Sequence, residues 1–425
     1  MEVFYMTTTL TNLTFNFLDA PTGAGKTTAI IDKVNNEATI SKRRFIVVTP
    51  YLEEIKRISV ATTCIEPKRE SKTKDFQTLI QEGKNICCTH SLFNRQRKNT
   101  FRMIEDSTYN YCLIIDEELE VIKVTGFNNR YEDDEKDSED LKKYSTEDIY
   151  LIEKQGLIQI DPATNLITWN DKSTYSKGVF MPLKEYLETA DVYIQGNSFI
   201  DTTKKDVFSV FHEITICSYR IQYSLLYAYC LLNNIEINWQ HIENNQIVNG
   251  YKELKPAKLD KLHTHCPTRK DFNCTGSVSW YKTQEKTDNR KAFQYLTSSF
   301  RNFKEHIVPK GCPSDYFWTV YKDFVSVITK DKNIGKKNHI ACNTKATNNY
   351  SNCHIVGYFI QRHIHPDIYN FLHNKGISLD KDNYALSEAI QFIWRSNIRT
   401  DSDNDVYVFF ASQELKTIFD YWKDN

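Results

Sequence analysis

Short apolar runs of strand length alternate with longer amphipathic stretches over most of the chain. The first half carries five of these runs, at 15–20, 44–50, 85–90, 111–116 and 191–196. The second half carries five more, at 278–282, 316–321, 338–343, 354–360 and 405–411. Because strands of a parallel sheet are buried on both faces, they show as continuous apolar runs separated by helices. The pattern therefore predicts an α/β protein with two lobes, each a mostly parallel sheet flanked by helices.

Two stretches interrupt this alternation. The acidic run YEDDEKDSED at 131–140 is typical of a solvated surface insertion, which we place near 128–145. Residues 216–269 begin with an apolar, helical-looking piece and end in a basic segment, so we expect a connection between the lobes there. The sequence thus predicts a first lobe over 1–215 and a second lobe over 270–425.

Composition narrows the class of protein. The 425 residues include 54 basic and 55 acidic side chains, which excludes a uniformly basic nucleic-acid-binding surface but allows a local basic groove. The apolar runs are far shorter than the roughly 20 residues of a membrane span, and the N-terminus lacks a secretory pattern. Eleven cysteines without a CxxC pair indicate free thiols. We therefore expect a cytoplasmic protein with no membrane partner.

The strongest chemical signal is the segment APTGAGKTT at 20–28. It follows an apolar run and precedes an amphipathic stretch, which is the order of strand, glycine turn and helix N-terminus that a phosphate-binding loop requires. The glycines let backbone N–H groups approach phosphate oxygens. Lys26 would contact the β- and γ-phosphates, and Thr27 would bind Mg²⁺. The predicted nucleotide-binding residues are Pro21, Thr22, Gly23, Ala24, Gly25, Lys26, Thr27 and Thr28.

A second signal is YCLIIDEEL, which ends an apolar run with adjacent carboxylates at Asp116 and Glu117. Ligands of open α/β sheets bind at the carboxyl ends of strands. Asp116 would hold Mg²⁺, while Glu117 would orient and deprotonate the attacking water. The sequence leaves open whether Glu118 takes any part.

Together, APTGAGKTT and IIDEEL resemble motifs I and II of the superfamily 2 helicases, the DEAD/DExH-like ATPases. That family begins its first motif with Ala, as Ala20 does here. Weaker matches follow in the order of the family's motifs. Val47–Tyr51 resembles motif Ia, Cys88–Ser91 motif Ib, Gln195–Ser198 motif III, Asn343–Asn348 motif V and Gln391–Arg399 motif VI. The motif V segment and the apolar run near the C-terminus also resemble helicase-like proteins of bacteriophages.

The resemblance implies two RecA-like lobes with an ATP site in the cleft between them, and ATP and Mg²⁺ as cofactors. It implies ATP hydrolysis coupled to translocation on DNA or RNA, or to its unwinding, with replication or transcription proteins as further partners. The sequence does not choose between DNA and RNA. The predicted nucleic-acid contacts are Thr49, Pro50, Tyr51, Thr89, Thr344 and Lys345.

The segment that resembles motif VI predicts a contact to the γ-phosphate. Residues 384–399 have helical character, so Gln391, Arg395 and Arg399 at positions i, i+4 and i+8 would share one face. One amide and two guanidinium groups suit a γ-phosphate contact and an arginine finger. The sequence leaves open which of the two arginines is the finger.

Two other functions remain open at this point. A terminase-like viral genome-packaging motor would share the first two motifs, but its nuclease part needs a cluster of carboxylates for two metals, which the second half does not offer. A nucleotide-gated nucleic-acid-binding module without unwinding is disfavoured because Lys26, Thr27, Asp116 and Glu117 are all present.

Overall fold

The computed structural model describes residues 13–40, 42–68, 71–125, 144–269, 272–287, 290–331, 333–342, 349–400 and 402–425. The acidic run at 131–140 and the segment Asn343–Asn348 lie outside these residues, so Thr344 and Lys345 stay predictions from the sequence. The strands are β1 Thr14–Asp19, β2 Arg43–Thr49, β3 Ile86–Thr89, β4 Asn110–Asp116, β5 Ile122–Thr125, β6 Ile158–Ile160, β7 Leu166–Trp169, β8 Ala190–Gln195, β9 Ser198–Thr203, β10 Glu213–Ser218, β11 Glu236–Glu243, β12 Gln246–Asn249, β13 Leu262–His265, β14 Tyr316–Thr319, β15 Ile355–Tyr358 and β16 Val406–Phe410. The helices are α1 Lys26–Glu37, α2 Leu52–Ala61, α3 Lys72–Gln81, α4 His90–Asn94, α5 Lys98–Glu105, α6 Thr146–Lys154, α7 Met181–Leu187, α8 Asp206–Ser209, α9 Leu225–Leu232, α10 Val278–Lys286, α11 Arg290–Asn302, α12 Val325–Ile328, α13 Pro366–Asn374, α14 Lys381–Ile393 and α15 Gln413–Asp424.

The first sheet has seven strands in the order β12-β11-β1-β10-β4-β2-β3. All neighbours are parallel except β12, which pairs antiparallel with β11. Every residue of β4 from Tyr111 to Asp116 is buried, which explains its continuous apolar run. One strand, β10, separates β1 from β4, and Ser218 pairs with Asp19 while Cys217 pairs with Asp116. The carboxyl ends of these three strands therefore meet at one edge.

A second, antiparallel sheet has the order β5-β9-β8-β7-β6 and was not predicted. It carries an apolar cluster of its own, in which Ile149, Val192 and Phe199 are fully buried. The run at 191–196, predicted as a parallel strand of the first lobe, is β8 of this sheet. Its burial alternates residue by residue, because an antiparallel sheet can leave one face partly open to solvent.

The third sheet is parallel throughout, in the order β13-β16-β15-β14. The run at 278–282 was predicted as a strand and is helix α10, because the Ser277 hydroxyl accepts a hydrogen bond from the N–H of Trp280 and caps the helix. The run at 338–343 was also predicted as a strand, but its described part makes only an isolated bridge between His339 and Trp318. Apolar runs this short do not separate strand from helix by periodicity.

By their internal contacts the described residues divide into two units. The first comprises the residues up to Asp19, Thr27–Lys252 and His365–Ser378, and the second comprises Ala20–Lys26, Glu253–Ile364 and Leu379–Asn425. Residues 216–269, predicted as a connection between lobes, instead supply α9, β11 and β12 to the first unit and β13 to the second. The sequence analysis did not predict β11, and it missed β10 because the last residues of this strand, 216–218, were assigned to a helical piece.

The α/β class with parallel sheets flanked by helices is confirmed. Within the described residues, no helix is both long and apolar enough to cross a membrane. All eleven cysteines are free thiols, as predicted. Burial raises the pKa of Cys230 and of Cys274 to about 12, so both thiols stay uncharged and unreactive near neutral pH.

Replacing Gly276 by alanine is expected to destabilise the second unit by about 2–4 kcal/mol. Gly276 has φ +66°, and a Cβ there would lie 2.8 Å from the backbone nitrogen of Gln361, so left-handed strain and a clash with backbone would add together. Gly376→Ala is the matched control, because Gly376 has φ +77° and open space around it. This substitution should lower the free energy of unfolding by the backbone strain alone, about 1 kcal/mol. Urea denaturation followed by circular dichroism measures the free energy of unfolding of both variants. Equal losses of this free energy in the two variants would contradict the clash at Gly276.

Candidate active site

The loop between β1 and α1 has the backbone geometry that the sequence predicts for a phosphate-binding loop. Gly23 and Gly25 have φ +88° and +86°, a region that residues with a Cβ rarely enter. The N–H of Ala24 donates to the carbonyl oxygen of Pro21 at 3.1 Å and closes the turn. Helix α1 begins at Lys26 directly after it, so the positive end of a twelve-residue helix lies at the loop.

Lys26 is held inside this loop. Its ammonium Nζ donates to the carbonyl oxygens of Ala20 at 2.7 Å and of Pro21 at 3.1 Å, and only 8% of the residue is exposed. A buried ammonium needs hydrogen-bond acceptors, and backbone carbonyls satisfy it without a neutralising carboxylate. These two carbonyl oxygens therefore hold the Lys26 side chain at the loop.

Asp116 and Glu117 stand at the carboxyl end of β4. Asp116 is the last residue of the strand and only 5% exposed, whereas Glu117 is half-buried. Glu117 has φ +62°, a left-handed conformation that costs a residue with a side chain about 1 kcal/mol or more. Its N–H donates to the carbonyl oxygen of Cys217 at 2.8 Å. Strain of this kind at the end of a central strand is a frequent mark of functional sites.

The end of β10 supplies two residues that bond to these segments and that the sequence analysis did not predict. Ser218 is fully buried, and its hydroxyl donates to the carboxylate of Glu118 at 3.4 Å. The N–H of Arg220 donates to the Asp19 carboxylate at 2.7 Å, which ties this strand to the residue before the loop. Gln195–Ser198, predicted at the place of motif III, is instead the turn between β8 and β9 of the antiparallel sheet. The apolar run EITICS, which ends in a serine, is the signal that would have located β10.

The motif VI prediction of one helical face is wrong. Helix α14 ends at Ile393, so Gln391 lies in its last turn, while Arg395 follows it and Arg399 closes a 3₁₀ turn. In a continued α-helix the N–H of Asn397 would bond the carbonyl of Ile393. The Ser396 hydroxyl donates to that carbonyl at 2.7 Å instead, and the N–H of Asn397 donates to Cys353.

The two arginines therefore have different surroundings. Arg395 is 4% exposed, and its guanidinium carbon lies 4.7 Å from the centre of the Phe392 ring. Arg399 is half-buried, and its carbonyl oxygen lies 4.0 Å from the position that a Cβ on Gly23 would occupy. Both Gly23 and Arg399 belong to the second unit as its contacts define it. The backbone of Arg399 thus borders the loop.

The predicted nucleic-acid contacts differ in access. Thr49 is completely buried at the end of β2, while Pro50 and Tyr51 are half-buried at the start of α2. Thr89 is half-buried, and its hydroxyl caps α4 by accepting from the N–H of Leu92 at 3.1 Å. In this conformation Pro50 and Tyr51 are more accessible than the buried Thr49.

The residues present fit a nucleotide and a magnesium ion. Positive φ at both glycines and a buried ammonium suit phosphate oxygens. Thr27 is half-buried in the first turn of α1 and belongs, like Asp116, to the first unit. No group of three or more His, Cys, Asp or Glu side chains able to hold a metal occurs among the residues that the structure describes. Mg²⁺ in nucleotide sites is usually held by one or two oxygen side chains together with the substrate phosphates, so a cluster of three protein ligands is not required.

Comparison with known proteins gives relatives for the whole chain. A family model described as the YonV C-terminal Rossmann-like domain matches residues 253–423. The SPbeta prophage-derived uncharacterized protein YonV of Bacillus subtilis (strain 168) is 28% identical over 438 residues, which cover 96% of this chain and 98% of that protein. Among solved structures, an apo XPD has a TM-score of 0.48 at 12% identity and covers 97% of this chain and 95% of its own. S. tokodaii Xpd4 has a TM-score of 0.45 at 11% identity, with coverage of 97% and 94%. The region matched by the family model begins at Glu253, where the long segment of the second unit also begins.

Proposed function

We propose that this protein is an ATP-dependent helicase or translocase built on two RecA-like lobes, and that it binds DNA or RNA inside the cell. One observation carries the proposal. A glycine loop with a buried lysine follows β1, a carboxylate pair ends β4, and a single strand separates the two in the same parallel sheet. A triphosphate on the loop would then have Asp116 and Glu117 at the same sheet edge.

Each residue has one part in the reaction. Lys26 exchanges its two carbonyl acceptors for phosphate oxygens and holds them by charge. Thr27 and Asp116 offer oxygen ligands to Mg²⁺, which supplies charge neutralisation when bound. Glu117 accepts the proton of the attacking water. Arg399, with Gln391 and Arg395 from the same region, is proposed to stabilise the charge on the γ-phosphate. Thr49, Pro50, Tyr51, Thr89, Thr344 and Lys345 are the proposed contacts to the strand.

ATP turnover by the wild-type protein is the test of this function. We expect phosphate release that requires Mg²⁺ and rises at least about fivefold with one member of a panel of single- and double-stranded DNA and RNA, measured at a stated salt concentration because binding to phosphates is salt-dependent. A strand-displacement assay on the stimulating nucleic acid separates unwinding from translocation alone. Absence of turnover with every member of the panel would reject the proposal, and cleavage of the DNA itself would favour the packaging motor.

A further inference from the structure

The peptide group between Asp116 and Glu117 is held from two sides of β4. Its N–H donates to the carbonyl oxygen of Cys217 on β10 at 2.8 Å, and its carbonyl oxygen lies 2.9 Å from Nε2 of His90. His90 follows β3, which lies on the other side of β4 from β10 in the order β10-β4-β2-β3. The His90 side chain, which follows a strand two positions from β4, therefore hydrogen-bonds the same peptide group as the neighbouring strand β10.

These two bonds bear directly on the carboxylate of Glu117. A left-handed residue other than glycine persists only where its surroundings hold it, and φ at Glu117 is +62°. Because a carbonyl oxygen only accepts, Nε2 of His90 must carry the proton, which fixes both the tautomer and the donor. Without the His90 donor, the Asp116–Glu117 peptide would keep its hydrogen bond to Cys217 but lose the one to His90. The orientation of the Glu117 side chain would then be less restrained.

His90 is also joined to a predicted nucleic-acid contact. Thr89 precedes it and caps α4 through its hydroxyl, and His90 is the first residue of that helix. A displacement of Thr89 by a bound phosphate is passed to His90 through one peptide bond. The imidazole then connects this segment to the Asp116–Glu117 peptide within the first unit.

We propose that His90 is a positioning residue that couples nucleic-acid binding at Thr89 to the placement of the Glu117 carboxylate. The inference rests on the proposed function and names the regulation of the same site. With the segment bound, the imidazole holds the peptide in the conformation that aims Glu117 at the attacking water. Nucleic acid then stimulates ATP turnover because it favours good geometry of the hydrogen bond between His90 and the Asp116 carbonyl oxygen.

The test compares three substitutions at this position, with oligo(dT) or oligo(rU) as the probe, whichever stimulates the wild type more. His90→Leu removes the donor, and we expect the stimulated kcat to fall about tenfold, the loss expected for one part-buried hydrogen bond. The KM for ATP and the Kd for the oligonucleotide should change less than about twofold, because neither ligand contacts His90 in this arrangement. His90→Gln places an amide donor near the position of Nε2 and should restore at least half of the rate, whereas the shorter His90→Asn should not.

A matched control is available in the same unit. His241 on β11 makes the same kind of bond, with Nδ1 2.9 Å from the carbonyl oxygen of Gly250, at a hairpin far along the sheet order from β4. His241→Leu should leave the stimulation factor unchanged. If the wild type shows no stimulated turnover, the proposed function fails. If the wild type is stimulated and His90→Leu is stimulated equally, only the coupling role fails. If His90→Leu does not fold, the contrast between His90→Gln and His90→Asn decides, and equal rates in those two variants would overturn the inference.

Discussion

Lys26→Ala is expected to lower ATP turnover by at least about 100-fold and to abolish nucleotide binding at micromolar concentration. The variant loop keeps its glycines and its helix N-terminus but loses the cation that contacts the phosphates. In a preorganised site this charge-assisted interaction is far stronger than it would be in bulk water. Fluorescence of a labelled ATP analogue measures binding, and phosphate release measures turnover. Lys26→Arg should not restore activity, because the ammonium fits between two carbonyl oxygens 2.7 and 3.1 Å away.

Lys33 provides the matched control for this prediction. It lies two turns further along α1, is largely buried and pairs with Glu213 at 2.8 Å and with Glu37 at 3.1 Å. Lys33→Ala should therefore cost stability, through the carboxylates that it leaves behind, and leave turnover per folded molecule within about twofold. A Lys26→Ala protein that folds and still hydrolyses ATP would reject the nucleotide site.

The parts of the site that the sequence predicts are those fixed by local geometry. The loop at 20–28 has its glycines at positive φ, and Asp116 ends a buried strand, because a strand, a tight turn and a helix are determined over a few residues. The roles of Lys26, Asp116 and Glu117 stay predictions until turnover is measured.

The parts that the sequence misplaces depend on distant contacts. Helix α14 ends at Ile393, and the N–H of Asn397 donates to the carbonyl of Cys353, a residue 44 positions earlier, so the helix does not continue there. The periodicity of the apolar residues gives no indication of that hydrogen bond. Similarly, β10 takes its place between β1 and β4 by pairing with both, although only a short apolar run marks it in the sequence. A short apolar run is compatible with a helix or a strand, and tertiary pairing decides between them.

Glu117→Gln is expected to lower turnover about 100- to 1,000-fold while nucleotide affinity changes less than about threefold. Glutamine keeps the size and the backbone of the residue but cannot accept the proton of the attacking water, and general-base catalysis contributes a factor of this order. Single-turnover hydrolysis with saturating ATP measures the chemical step, and labelled nucleotide measures affinity. Glu118→Gln is the neighbouring control and should retain turnover within about threefold, because Glu118 receives a long bond from Ser218 and has no strained backbone.

Glu117→Gly separates a functional role from a structural one. Glycine adopts φ near +62° without steric cost, so this variant should be more stable than the wild type by about 0.5–1 kcal/mol and should still lose turnover about 100-fold or more. A gain of stability together with a loss of activity is expected only where the strained residue is kept for its side chain. Thermal melting tests the expected gain of stability, and phosphate release by the same preparation tests the expected loss of turnover. A glycine variant that is less stable, or that hydrolyses ATP at the wild-type rate, would remove Glu117 from the site.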